Sequence, residues 1–143
     1  MEMEQHLNNF VDIYNQLSDK NLGLLKNIYD DSVVFSDPLH KVEGIEALTR
    51  YFENLYANVN SISFDINEHY VVDNKGFLYW EMHFSHSKLN NKKNITVAGH
   101  SQLTFKGSKV ISHRDYFDVG ALLYRNIPLL GSVIKTLEKR AVS

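Results

Sequence analysis

The feature that most constrains this chain is a change of hydrophobic period partway along it. From Leu7 to Leu55 apolar residues recur every three or four positions, the spacing of one helix face. Leu7, Phe10, Val11, Tyr14 and Leu17 predict a first helix. Leu22, Leu25, Ile28 and Tyr29 predict a short second one, and Ile45, Leu48, Phe52 and Leu55 a third, opened by Gly44. Between the second and third, Ser32 to Pro38 is β-branched and then stopped by proline, which predicts a short strand and a turn. From Ser61 the period is two.

Four long strands follow from that period. Ile62, Phe64, Ile66, Glu68, Tyr70 and Val72 alternate with Ser63, Asp65, Asn67 and His69. Asp73 to Gly76 is a turn, so a hairpin leads into a strand from Phe77 to Lys88. A polar loop over Leu89 to Asn94 precedes strands over Ile95 to Phe105 and Lys109 to Asp118. Helical spacing returns at Val119, Leu122 and Leu123 and breaks at Pro128. Leu130, Val133, Ile134 and Leu137 predict a last amphipathic helix with a Lys/Arg end that suits the helix dipole. Helices first and a meander after give an α+β layer fold: a curved antiparallel sheet wrapped around N-terminal helices, with an extra C-terminal helix. Long strands twist and curl, so the sheet should enclose a concave space able to hold a small ligand.

Length and charge narrow the class. With 143 residues and no linker or repeat, the expectation is one domain over 1–143, its core about 5–118 and a helical extension over 119–143. A chain of this length buries roughly two-thirds of its unfolded surface without staples. It has no cysteine, which excludes disulfides, thiolate–metal sites and a cysteine nucleophile. A net charge of -2 gives no basic field, so nucleic acid is not the expected partner. The start, Met1 to Phe10, is polar and acidic, unlike a signal peptide, and no apolar run is long enough to span a membrane. A cytoplasmic location is the default expectation.

Strand parity names the pocket candidates. Leu78, Trp80, Met82 and Phe84 share one face of the second long strand, against Tyr79, Glu81 and His83. Val97, Gly99, Ser101, Leu103 and Phe105 share a face of the third, and Ile111, His113, Asp115 and Phe117 a face of the fourth. A His and an Asp among apolar residues must pair or serve chemistry, since burying them unpaired costs several kcal/mol. His113 and Asp115, with Asp37 as a third ligand, would be a sparse metal site, and none is expected. His83 and His86 point to opposite faces of a strand and cannot share an ion. No Gly-rich phosphate loop or nucleophile elbow is present, and no cofactor is called for. The outward set Tyr79, Glu81 and His83 lies on a long exposed sheet face, the kind that pairs, so a homodimer through that face is expected.

Tyr29 to Pro38 followed by Gly44, together with Lys106 to Asp118, resembles the opening segment and last strand pair of SnoaL-like and ketosteroid-isomerase-like domains of the nuclear-transport-factor-two-like superfamily. The resemblance implies a cystatin-like α+β cone. It implies that Asp37, before the proline, is a general base and that Tyr14 donates to a substrate oxygen. The isomerases' second oxyanion donor, a carboxylic acid on the third strand, falls near Ser101 and is missing from this sequence, and Asp115 is the nearest match to the acid/base aspartate of SnoaL-like cyclases. Asp37 also has a physical warrant, because a carboxylate at the rim of an apolar cavity is desolvated and suits proton abstraction next to a carbonyl. It has an equally plain structural role, as the former of an Asp-Pro turn.

The expected function is therefore a small-molecule pocket protein: an isomerase, cyclase or hydrolase acting on an apolar carbonyl-bearing compound. Asp37, Tyr14, His113 and Asp115 are its catalytic candidates. Trp80, Phe117, Phe35, Tyr29, Met82 and Ser101 are its ligand-binding candidates. The alternatives are a binding module without catalysis and a dimeric structural protein whose pocket is filled by its own side chains. A reachable cavity with aligned acid/base groups would favour the enzyme, a cavity without them the binder, and a filled interior the structural protein.

Overall fold

The computed structural model describes residues 2–86, 88–90, 93–127 and 130–142. Helix α1 (Glu2–Gln16) leads through a 3₁₀ turn at Leu22–Leu24 into the short α2 (Leu25–Ile28). Strands β1 (Tyr29–Ser36) and β2 (Lys41–Glu43) follow, then α3 (Ile45–Asn58). The meander is β3 (Ser61–Val72), β4 (Lys75–Ser85), β5 (Ile95–Lys106) and β6 (Lys109–Phe117). The chain ends with α4 (Val119–Leu122), a 3₁₀ turn at Tyr124–Asn126 and α5 (Leu130–Val142). The predicted break at Pro128 lies outside the described residues.

The α+β class is as the period change predicts, with one curved, unclosed six-stranded sheet in the order β2-β1-β6-β5-β4-β3. Neighbours are antiparallel except at one place: β1 runs parallel to β6, pairing Phe35 with His113 and Ser36 with Arg114. The sheet is therefore mixed, not wholly antiparallel. The cause is that β1 is delivered to the sheet by the helical layer, whereas the meander strands are joined by tight turns. Tyr29, read as the end of the second helix, is the first residue of β1 instead, with α2 stopping at Ile28. Two β-branched residues and a phenylalanine follow it, and they favour strand.

Two bulges decide which side chains face inward. In β3 the register slips between Ile66 and Glu68, leaving Asn67 as the extra residue. Ile66 opposes Trp80 and faces in, whereas beyond the slip Val71 packs on the core and Tyr70 and Val72 are exposed. The unbroken alternation through Tyr70 and Val72 is thus corrected: the second half of β3 has the opposite parity. In β6 a slip opposite Thr104 and Phe105 turns fully buried Val110 inward, while Ile111 lies off the predicted face; His113, Asp115 and Phe117 keep theirs.

Leu7 and Phe10 of α1, Leu25 and Ile28 of α2, and Leu48 and Phe52 of α3 fill the concave side against Leu78, Trp80, Leu103 and Val110. Each buried large side chain contributes about 1.5–3 kcal/mol of transfer free energy. A second cluster of Phe84, Leu89, Ile95 and Val97 is covered by Ala121, Leu122, Leu123 and Ile127. The short α4 region therefore covers the open end of the sheet. Asp118 caps α4 by accepting from the backbone N–H groups of Gly120 and Ala121. Helix α5 is held by Arg125, which pairs with both Asp118 and Glu138. No described helix is long and apolar enough to cross a membrane.

Candidate active site

The helical layer and the sheet leave a cavity of about 90 Å³ between them. Phe10 and Tyr14 reach it from α1, Phe35 from β1, Tyr51, Phe52 and Leu55 from α3, and Trp80 and Met82 from β4. Its polar wall is Asp37, Ser101, His113 and Asp115. Nine of the ten residues expected at a site therefore line one hollow. The tenth, Tyr29, is fully buried behind it and touches His113.

The polar groups form a connected relay. Trp80 Nε1–H donates to Ser101 Oγ at 2.9 Å, and Ser101 Oγ donates to Asp115 Oδ1 at 2.5 Å. His113 Nε2 lies 2.6 Å from the same Asp115 oxygen, and its Nδ1 lies 2.7 Å from the Tyr29 hydroxyl. Burial, and after it the Asp115 charge, holds the Tyr29 hydroxyl well above the ordinary tyrosine pKa, so it keeps its proton and donates. In the tautomer that matches both contacts, Nδ1 accepts from Tyr29 and Nε2–H donates to Asp115. The imidazole sits among aromatic rings, with Phe35 at 4.7 Å, Tyr29 at 5.9 Å and Phe10 at 6.0 Å between centroids. Asp115 Oδ1 thus receives two hydrogen bonds, while among the described residues Oδ2 receives none.

Parity builds this arrangement. His113, Asp115 and Phe117 are two residues apart on β6, and Ser101 of β5 is the register partner of Asp115. Gly99, two residues before Ser101, has no side chain because the Trp80 indole lies on it; a Cβ there would come within 2.5 Å of the ring.

Tyr14 lines the hollow beside this relay. Burial, then the Tyr29 hydroxyl and the Asp115 charge, push its hydroxyl well above the usual range. It is therefore a proton donor throughout the physiological range. Asp37 lies on the same wall but is differently used. Its Oδ1 accepts from the backbone N–H groups of Leu39 and His40 at 2.8 and 2.7 Å, and its Oδ2 accepts from the Tyr51 hydroxyl at 2.9 Å. The turn role weighed for Asp37 is thus realised, and both of its oxygens are engaged.

Tyr51 is the site residue that the sequence reading passed over. The signal was available: Tyr51 stands three residues after Leu48 and four before Leu55, on the apolar stripe of α3. Burial, then the Asp37 charge, raises its hydroxyl far above the ordinary value, so it too stays a donor. Among the described residues no three His, Asp or Glu side chains converge as a metal site.

A sheet curled over helices, with a carboxylate–imidazole pair inside an apolar hollow, is a pocketed α+β domain of the ketosteroid isomerase-like fold. The chain belongs to the SnoaL-like domain family, whose model matches residues 9–113. No curated protein matches it. Among solved structures it resembles a protein from Jannaschia sp. CCS1 assigned as a SnoaL-like polyketide cyclase, with a TM-score of 0.73 and 12% identity over 85% of this chain and 89% of that one. It also resembles a protein with a ketosteroid isomerase-like fold from Catenulispora acidiphila, with a TM-score of 0.68 and 14% identity over 76% of this chain and 84% of that one. A third is an LEH-like epoxide hydrolase from M. tuberculosis, with a TM-score of 0.66 and 12% identity over 82% and 84% of the two chains. At these identities the likeness is one of fold. The fold carries several chemistries, so the activity must be argued from the site.

Proposed function

We propose that the protein is an acid/base enzyme acting on a small apolar carbonyl compound, with Asp115 as the base. The observation that carries this reading is the asymmetry of Asp115: one oxygen is held by His113 and Ser101, and the other accepts no hydrogen bond among the described residues. A carboxylate so oriented, at the wall of an apolar cavity, suits removal of a proton from carbon next to a carbonyl. The C–H electron pair moves into the enolate, the proton goes to Asp115 Oδ2, and Tyr14 hydrogen-bonds the oxygen where negative charge develops. Protonated Asp115 then returns the proton to the same carbon in exchange, to a conjugated carbon in an isomerisation, or, in an aldol cyclisation, to the alkoxide left when the enolate carbon attacks a second carbonyl. His113 and Tyr29 act as positioning residues. Asp37, with both oxygens engaged, orients Tyr51 and closes the turn.

The test is α-proton exchange of the straight-chain ketone 2-undecanone in D₂O, followed by NMR. Wild type should accelerate exchange, and Asp115→Asn should lose about 10²-fold to 10⁴-fold of it while still binding the ketone. Exchange that survives Asp115→Asn removes Asp115 from its role. A wild type that binds the ketone without exchanging it favours the binding module instead.

A second copy of the chain on the outer sheet face completes the proposal. An aromatic row crosses that face: Tyr70, Tyr79, His100 and Tyr116 make successive ring contacts, and Arg114 lies over Tyr116 at 5.1 Å. Tyr70, Tyr79 and Tyr116 are about half exposed. Glu68, hydrogen-bonded to Tyr70, marks one end of the row and Arg114 the other. A two-fold axis through the row therefore sets Arg114 against Glu68 of the other copy. Sedimentation should give a dimer for wild type and a monomer for Tyr79→Glu. A wild-type monomer at tens of micromolar would remove this interface.

A further inference from the structure

The hollow behind Met82 and Leu55 is not the end of the apolar space. A second, more open chamber of about 450 Å³ adjoins it, and the two share Tyr51, Leu55, Met82 and Leu122 as common walls. The outer chamber is lined by apolar side chains from four places in the chain, among them Leu39, Val59, Ile62, Phe84 and Leu123. Its polar groups are His40, Asn54, Asn58 and His86, and no Lys or Arg lines either chamber among the described residues.

We propose that the ligand is an uncharged two-part molecule: a compact oxygen-bearing head in the inner chamber and an extended apolar body in the outer one. This rests on the reading of the inner chamber as the reaction site and specifies its substrate class. Three observations lead to it. The inner chamber, about 90 Å³, accommodates a small functional group but not a ring system, so a larger substrate must continue outward. The outer chamber that continues it through shared walls is greasy, and burying apolar surface there supplies the binding energy that the small head cannot. Finally, a phosphate or carboxylate on the head would be desolvated with no Lys or Arg beside it and would face Asp115 and Asp37. The neutral amides of Asn54 and Asn58 at the outer chamber suit a hydroxyl or carbonyl at the far end of the body.

Calorimetry on straight-chain methyl ketones from 2-pentanone to 2-undecanone tests this. Affinity should rise about fourfold with each added methylene across the series. Ile62→Trp and Leu39→Trp, both on the wall of the outer chamber, should flatten that rise, costing 2-undecanone far more affinity than 2-pentanone. Leu39 is exposed, so its replacement does not disturb the core. Decanoate should bind at least tenfold more weakly than 2-undecanone. A flat chain-length dependence in wild type, a rise untouched in both variants, or decanoate binding as tightly as the ketone would each overturn the proposal. None of these outcomes depends on Asp115 being the base, whereas loss of exchange in Asp115→Asn does not depend on the outer chamber.

Discussion

Two aspartates face one cavity, and their hydrogen bonds separate their tasks. Asp37 satisfies two backbone N–H groups and a tyrosine, which are the needs of a turn. Asp115 satisfies one hydroxyl and one imidazole with a single oxygen, and among the described residues the other accepts no hydrogen bond. Such differences are invisible in a sequence, where both residues read as an acid near apolar neighbours. Gly99 shows the same limit from the other side. It looks like a weak point in a strand, yet it is the only residue that fits beneath Trp80. Gly99→Ala should destabilise the fold by about 1–3 kcal/mol, because the indole and the carbonyl oxygen of Tyr116, 2.8 Å from the added carbon, would both have to move. Urea unfolding followed by circular dichroism checks this; an unchanged midpoint would mean that the ring is not seated there.

At the scale of elements, periodicity located every long strand and all three leading helices, because each has to bury one face. It missed β2, whose three residues are too few to show a period, and it ended α2 one residue late. It misread the faces of β3 beyond Ile66 and the place of Ile111 in β6, because one extra residue in a ladder reverses parity without altering composition. The site strand was nonetheless legible, since the β6 bulge falls before His113. The reversal in β3 makes a sharp prediction. Val71→Asp should cost about 2 kcal/mol or more, by placing a charge against the core, while Val72→Asp should stay within about 0.5 kcal/mol. Thermal melts of the two variants decide it, and the opposite ranking would restore the unbroken alternation. The parallel seating of β1 on β6 was out of reach, for it depends on where the helical layer delivers the chain rather than on any local pattern.

For the molecule as a whole, the relay and the turn leave three protonated phenols inside the fold. Tyr14, Tyr29 and Tyr51 all have hydroxyls held above their ordinary pKa, burial being the first cause in each. In the unfolded chain they ionise near pH 10. Above that pH the unfolded state binds fewer protons than the native one, so stability falls as pH rises; below it the contribution is fully present. Urea midpoints should therefore hold up to about pH 9.5 and drop steeply beyond it. Tyrosinate absorbance of these three should emerge together with unfolding rather than before it. Early titration of the full set of tyrosines in the native state would show that the interior is wetter than its walls imply.

Trp80 is the chain's one tryptophan, and its ring lines the hollow while its N–H holds Ser101. The protein therefore carries a built-in optical gauge at the place where a guest would sit. A molecule entering beside the indole must change the polarity around it or disturb its hydrogen bond. Intrinsic emission, excited at 295 nm, can thus screen a library of unlabelled compounds for occupants, with Trp80→Phe as the blank.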